Sequence, residues 1–232
     1  MASSTIINTL KGVALLLLIN LCSCTDYNYI DGGLAKGIHD CTMWEYFERQ
    51  TVDWDSTRLM IEQAGMKSYF DGSRQNEQIT FFGITDLVIV RYMLGHNRQL
   101  DENKEKGLPV EESDYWHKVK DIPASTCKSI LEKMIIPQRF MLKDVPAGTH
   151  LKTSDGSLYI EDRGTVHPAL EGELFVWMEA GDYGGVQDAG EKGLYIARRL
   201  NTSGNWRIAS TDIQTNTGVV HSMGYDFSIE NF

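Results

Sequence analysis

Apolar positions recur at helical spacing through the first part of the chain. From Phe140 onward they fall into short alternating runs parted by glycines. Thr42 and Glu45 form a capping box that opens a helix whose apolar face takes Trp44, Phe47 and the later Val52. A second helix is predicted over 56–64, capped by Asp55 or Ser56, with Leu59 and Met60 inward and Gly65 closing it in the left-handed conformation. Residues 79–86 read as a strand, and 87–94 as an apolar helix. The charged stretch 98–118 reads as a solvated excursion, since it carries Asp101-Glu-Asn-Lys-Glu-Lys106, Gly107 and Pro109. Ser125 is the expected cap of a helix that runs to about Met134 and is ended by Pro137. Strands are predicted over 149–152, 157–160, 173–178 and 194–198, with turns at Gly148, Asp155-Gly156, Gly181, Gly184-Gly185 and Gly193. The segment 206–227 reads as a β-hairpin. Ile208, Val219 and Val220 favour strand, Asn216-Thr217-Gly218 is the turn, and Asp212 fixes a bend by bonding nearby backbone.

Composition changes this picture at the N-terminus. Lys11 precedes the apolar run 12–21, which is short for a membrane span, and Leu21-Cys22-Ser23-Cys24 follows. A Leu three residues before a Cys, with a small residue just before that Cys, is the bacterial lipoprotein processing pattern. The expectation is a signal peptide over 1–23, lipidation of Cys24, a flexible tether over 24–37 rich in glycine, and a single domain over 38–228. Of the other cysteines, Cys41 and Cys127 can pair in an exported compartment or stay as small buried apolar residues; the second reading is favoured. A net charge of −10 without any Lys/Arg cluster argues against a nucleic-acid surface.

Several stretches then resemble one family. Ser210, Asp212, Ile213, Gln214, Thr215, Asn216, Gly218, Val219, Val220 and His221 match, in order, the second box of the fasciclin-like domain family. Thr80, Phe82, Thr85 and Asp86 match in type its first box, with Gly83-Ile84 in place of the usual Ala-Pro. The stretch 54–66 resembles the family's helix ending in Ala-Gly. The stretch 131–139 resembles its Leu-x-x-His-Val-Val-Pro segment with Lys133 or Met134 where the His would stand, and 151–156 its Leu-x-Thr-x-x-Gly hairpin. The resemblance implies an α+β fold, a fasciclin-like β-sandwich or wedge with helices packed at one end. It implies one domain rather than a tandem pair, lengthened near 98–118 and 163–190.

Candidate chemistry is sparse. No nucleophile elbow, phosphate loop or His-Glu-x-x-His appears, so no catalytic residue, metal or cofactor is assigned. His221 reads as a structural hydrogen-bonding residue or, on the weaker reading, a ligand-binding one. An Asp-Ile pair carries integrin recognition in some animal members of the family, and the resemblance places it at Asp212 and Ile213. A turn former followed by a core strand residue is the plainer account. Asp182, Asp188 and Glu191 lack calcium-loop spacing. Tyr159, Trp177, Tyr195 and Trp206 form either a planar row for sugar rings or part of a core. The function expected is a lipid-anchored, non-catalytic adhesion or binding protein of the cell envelope, anchored in the outer membrane, with a protein or glycan ligand. The alternative is an accessory glycan-capture lipoprotein of a polysaccharide uptake system.

Overall fold

The structure, a computed structural model, describes residues 37–145, 150–152, 158–160, 164–186, 189–198 and 201–232. The expected signal peptide, Cys24, nearly all of the tether, the turn at Asp155-Gly156, and the residues Gly148, Thr149 and Asp188 lie outside the described residues.

Helix α1, Met43–Arg49, starts at the expected capping box: the Glu45 N–H donates to Thr42 Oγ1 at 3.2 Å, and the Thr42 N–H donates to the Glu45 carboxylate at 2.8 Å. It buries Met43, Trp44 and Phe47. Gln50, at φ −110° and ψ 66°, breaks the helix, and α2, Thr51–Gln63, begins at once. That break resets the helical phase, so Val52 points outward at 88% exposure instead of extending the face of Phe47. The expected start at Ser56 is corrected by the same break. Asp55 and Ser56 lie inside α2, and their N–H groups donate to the carboxylate of Asp86 at 3.3 and 2.7 Å. Met60 is fully buried, Leu59 half-buried, and Gly65 closes α2 with φ 67° as expected.

Strand β1, Ile79–Gly83, is buried along its whole length and leads into α3, Asp86–Glu105. The helix is longer than the predicted 87–94. Its polar C-terminal half reads as surface because only one side of it meets protein. The charged stretch is therefore not an excursion throughout: 98–105 extend α3, and Trp116 packs against the core. Helix α4, Ala124–Lys133, starts behind Pro123 with no side-chain cap. Ser125 is thus a residue of its first turn and not its cap. Pro137 ends a short strand, β2, Ile135–Ile136, rather than the helix.

The remaining strands are β3, His150–Lys152; β4, Leu158–Ile160; β5, Thr165–Pro168; β6, Glu173–Ala180; β7, Lys192–Arg198; β8, Asn201–Thr215; and β9, Gly218–Met223. β3 and β4 pair with each other. The other seven form one sheet in the order β2-β1-β9-β8-β7-β6-β5, with β1 parallel to β9 and the other pairs antiparallel. Fifteen-residue β8 joins two halves of it. Its first part pairs with β7, its second with β9, and the register shifts between Ile208 and Ile213. Bulges of this kind let one strand serve two sheet directions. The helices pack on the β1–β9 half. Phe47 stacks on Trp54 at 4.9 Å and meets Phe70 and Phe81 edge-on or tilted at 6.1 Å. A Cβ on Gly83 would lie 2.5 Å from the Trp54 ring, so glycine lets α2 approach β1. This is the mixed α+β class expected, with helices gathered against one half of the sheet.

Candidate functional site

The β8–β9 hairpin brings the sequence-predicted residues together. Asp212 sits in the bulge with φ 57°, a left-handed conformation that Asp tolerates better than most residues. Its carboxylate accepts the Leu142 N–H at 2.8 Å, and its own N–H donates to His221 Nδ1 at 3.2 Å. His221 is fully buried, and its Nε2 lies 3.2 Å from the Phe140 carbonyl. Since Nδ1 accepts, Nε2 carries the proton and donates to Phe140. The ring is held as one neutral tautomer, stacked on Phe82 at 5.4 Å. Ile213 pairs with Val220 and is half-buried against the core. All three residues therefore touch protein: Asp212 and His221 tie the hairpin to residues 140–142, and Ile213 packs.

Burial pushes the pKa of His221 below its ordinary value of 6.5, against smaller raising effects from the Phe140 carbonyl and Asp212. Burial also lowers that of His167, which leans on Phe140 at 4.4 Å. The unfolded chain then takes up protons that the folded one refuses, so stability is intact above about pH 6.5 and falls as pH drops through that value. Burial raises the Asp86 pKa, which acts in the opposite sense. Its ionised form is disfavoured in the fold, so this group adds stability as pH falls below its raised value. His221→Gln keeps an acceptor and a donor but removes the titration. The urea midpoint should fall less between pH 8 and pH 5.5 in the variant than in the wild type. Equal falls would show that His221 does not carry the effect.

The aromatic row expected along the strands exists in part. Trp177 stacks on Phe175 at 5.2 Å and on Tyr195 at 5.7 Å, but it is 1% exposed and donates Nε1–H to Glu179 at 2.7 Å. Its ring faces are occupied, so the row offers no continuous platform; Trp206 is half-buried, edge-on to Phe227. Cys41 and Cys127 are buried free thiols, and burial lifts the Cys127 pKa to about 11. Glu191 is taken by Arg207, at 2.5 Å. Among the described residues no group of three His, Cys, Asp or Glu side chains could hold a metal ion, and no helix is long and apolar enough to cross a membrane.

Two surface features remain, the first on the turn expected at Gly184-Gly185 and the second without any sequence signal. The turn of the β6–β7 hairpin is Tyr183-Gly184-Gly185-Val186, closed by both backbone hydrogen bonds, 3.1 and 3.0 Å, with φ 60° and 80° at the glycines. That is the two-residue turn whose twist matches the strands, and it leaves Tyr183 75% and Val186 60% exposed. The second feature is a groove of about 640 Å³ between α3, α4 and the C-terminal turn Ile229–Asn231. Its residues come from three distant parts of the chain, so no local pattern announces it.

The two boxes read in the sequence meet in space. The first lies on β1 and the start of α3, the second on β8–β9, and β1 pairs directly with β9 from Ile79↔Gly218 to Gly83↔Ser222. No family model matches the chain, and no curated protein matches it. Among solved structures it is similar to a FAS1 domain pair from the insect cell adhesion molecule fasciclin I. The identity is 14% and the TM-score 0.48, over 82% of this chain and 52% of that one. The chain spans about half the length of that domain pair.

Proposed function

We propose that the protein is a non-catalytic adhesion or binding protein of the bacterial cell envelope, held in the outer membrane by a lipid on Cys24. The observation that carries this reading is the internal commitment of the box. Asp212 and His221, its polar side chains with chemistry to offer, are bound to backbone at 140–142. Recognition is thereby left to loops on a rigid scaffold. The β6–β7 turn suits that task, since it presents an aromatic and an aliphatic side chain on a fixed two-residue turn. Anchorage is supported by the Leu21-Cys22-Ser23-Cys24 pattern after an apolar run. Glycan capture is the second reading, favoured by the groove described above.

The test uses cells that carry the full chain. Palmitate-analogue labelling should mark the wild type and not Cys24→Ala. Adhesion of the labelled cells to immobilised matrix proteins should fall at least about tenfold in the Tyr183→Ala/Val186→Ser double variant. Asp212→Asn, which keeps the αL preference, should adhere normally. Labelling of Cys24→Ala sinks the anchor, and undiminished adhesion of the double variant sinks the hairpin.

A further inference from the structure

We propose that the groove between α3, α4 and the C-terminal turn binds a neutral saccharide of one to three rings. It goes beyond the hairpin-tip reading and names a ligand class for the glycan-capture reading, on which it rests. The groove holds about 640 Å³, within the range of small-ligand sites.

Its wall is a preassembled flat surface. The His96 imidazole lies on the Trp116 indole with ring centroids 3.5 Å apart and planes 9° from parallel. Trp116 is pinned in turn. Its N–H donates to Asn97 Oδ1 at 2.8 Å, and its carbonyl accepts from Asn97 Nδ2 at 2.9 Å. Tyr92 abuts the same indole at 5.5 Å. His96 Nε2 lies 3.0 Å from the Asp114 carbonyl, an acceptor, so Nε2 donates there and Nδ1 is the ring nitrogen left for a ligand. One face of the imidazole is covered by Trp116, and the ring lines the groove. Its second face is the one a pyranose ring can meet with its C–H groups.

The rim supplies the other half of sugar recognition. Ser125 and Thr126 contribute hydroxyls beside the uncapped N-terminus of α4, Gln99 offers one donor pair and one acceptor, and Glu230 accepts. Vicinal hydroxyls need donors and acceptors interleaved in this way. One cation, Lys133, and one carboxylate, Glu230, face the groove, so its charge is balanced and does not select an ionised ligand. Lys133 is also held 3.8 Å from Glu171. The strand row centred on Trp177 cannot serve, because its middle ring is buried.

The experiment titrates the full-length lipoprotein in detergent with maltotriose, cellotriose, mannotriose and xylotriose, followed by calorimetry and tryptophan fluorescence. At least one should bind saturably. Gln99→Ala and Thr126→Val should each weaken that binding about fivefold with unchanged melting temperature. Trp116→Phe should abolish the fluorescence change. No saturable binding by any of the four at up to roughly 20 mM overturns the proposal. So does binding indifferent to Gln99→Ala and Thr126→Val. Saccharide binding that survives in the Tyr183→Ala/Val186→Ser variant, with adhesion lost, keeps the two readings separate.

Discussion

Val220→Asp should unfold the protein at neutral pH, or leave it with a melting transition far below the wild type. Val220 is fully buried at the centre of β9, opposite Ile213 on β8 and Phe81 on β1, and its methyl lies 3.1 Å from where a Cβ on Gly83 would sit. No solvent and no cation reaches that point among the described neighbours. A carboxylate there loses its hydration without a partner, at a cost of ~5 kcal/mol or more, which is comparable to the whole stability of a domain. Val220→Ala at the same site should cost only ~1–3 kcal/mol, the loss of two methyl groups and the small space they leave. Asp212→Ala removes the Leu142 hydrogen bond and puts alanine at φ 57°, for ~2 kcal/mol. The order of the three variants in urea denaturation is the measurement. A melting curve for Val220→Asp that overlays the wild type would mean that β9 is not a core strand, and the reading of the hairpin as scaffold would fall with it.

The elements that could be read from the sequence are those whose cause is local. The Thr42–Glu45 capping box, the left-handed Gly65 and the Asn216-Thr217-Gly218 turn each depend on side chains within a few residues, and each is found where expected. Val52 and the start of α2 were misplaced because the break at Gln50 has no strong residue signature. The bonding partner of the N–H groups at Asp55 and Ser56 lies about thirty residues away, on Asp86. The 98–118 stretch looks like loop by charge alone. What organises its far end is Asn97, whose side chain reads both backbone groups of Trp116, and no spacing rule finds such a clamp. The candidate groove was invisible for the same reason. Trp177 was open in the sequence between platform and core, and its neighbours Phe175 and Tyr195 decided it only once the β6–β7 register, Trp177↔Tyr195, was fixed. The bend of β8 was half legible. Asp212 marked it, but the fifteen-residue strand that carries the bend also needed β7 on one side and β9 on the other.

Gly218→Ala should be among the most damaging of the single-methyl changes this fold can suffer. Gly218 opens β9 with φ 145°, a conformation open in practice to glycine alone. It stands opposite Ile79 in the parallel β1–β9 pair, and a Cβ built on it would overlap the Ile79 carbonyl oxygen and lie 2.9 Å from the Ile79 carbonyl carbon and amide nitrogen. These atoms are backbone of a fully buried strand, so they cannot swing aside as a side chain would. The turn next to it is bound into the helical layer. Thr217 Oγ1 accepts the Met43 N–H at 2.9 Å and donates to the Phe70 carbonyl at 3.2 Å, while Thr215 Oγ1 donates to the Gly218 carbonyl at 3.0 Å. Relief of the overlap by moving the turn would therefore break the contacts that seat α1. Strain and overlap together should cost ~4 kcal/mol or more. Gly65→Ala supplies the comparison. Its φ of 67° is also left-handed, but nothing lies within 4 Å of the added carbon, so only the conformational cost of ~1 kcal/mol applies. The difference between the two variants in denaturant midpoint isolates the steric part. Equal midpoints would show that β1 and β9 do not approach each other as closely as the parallel pairing requires, and that the glycine of the box serves the turn alone.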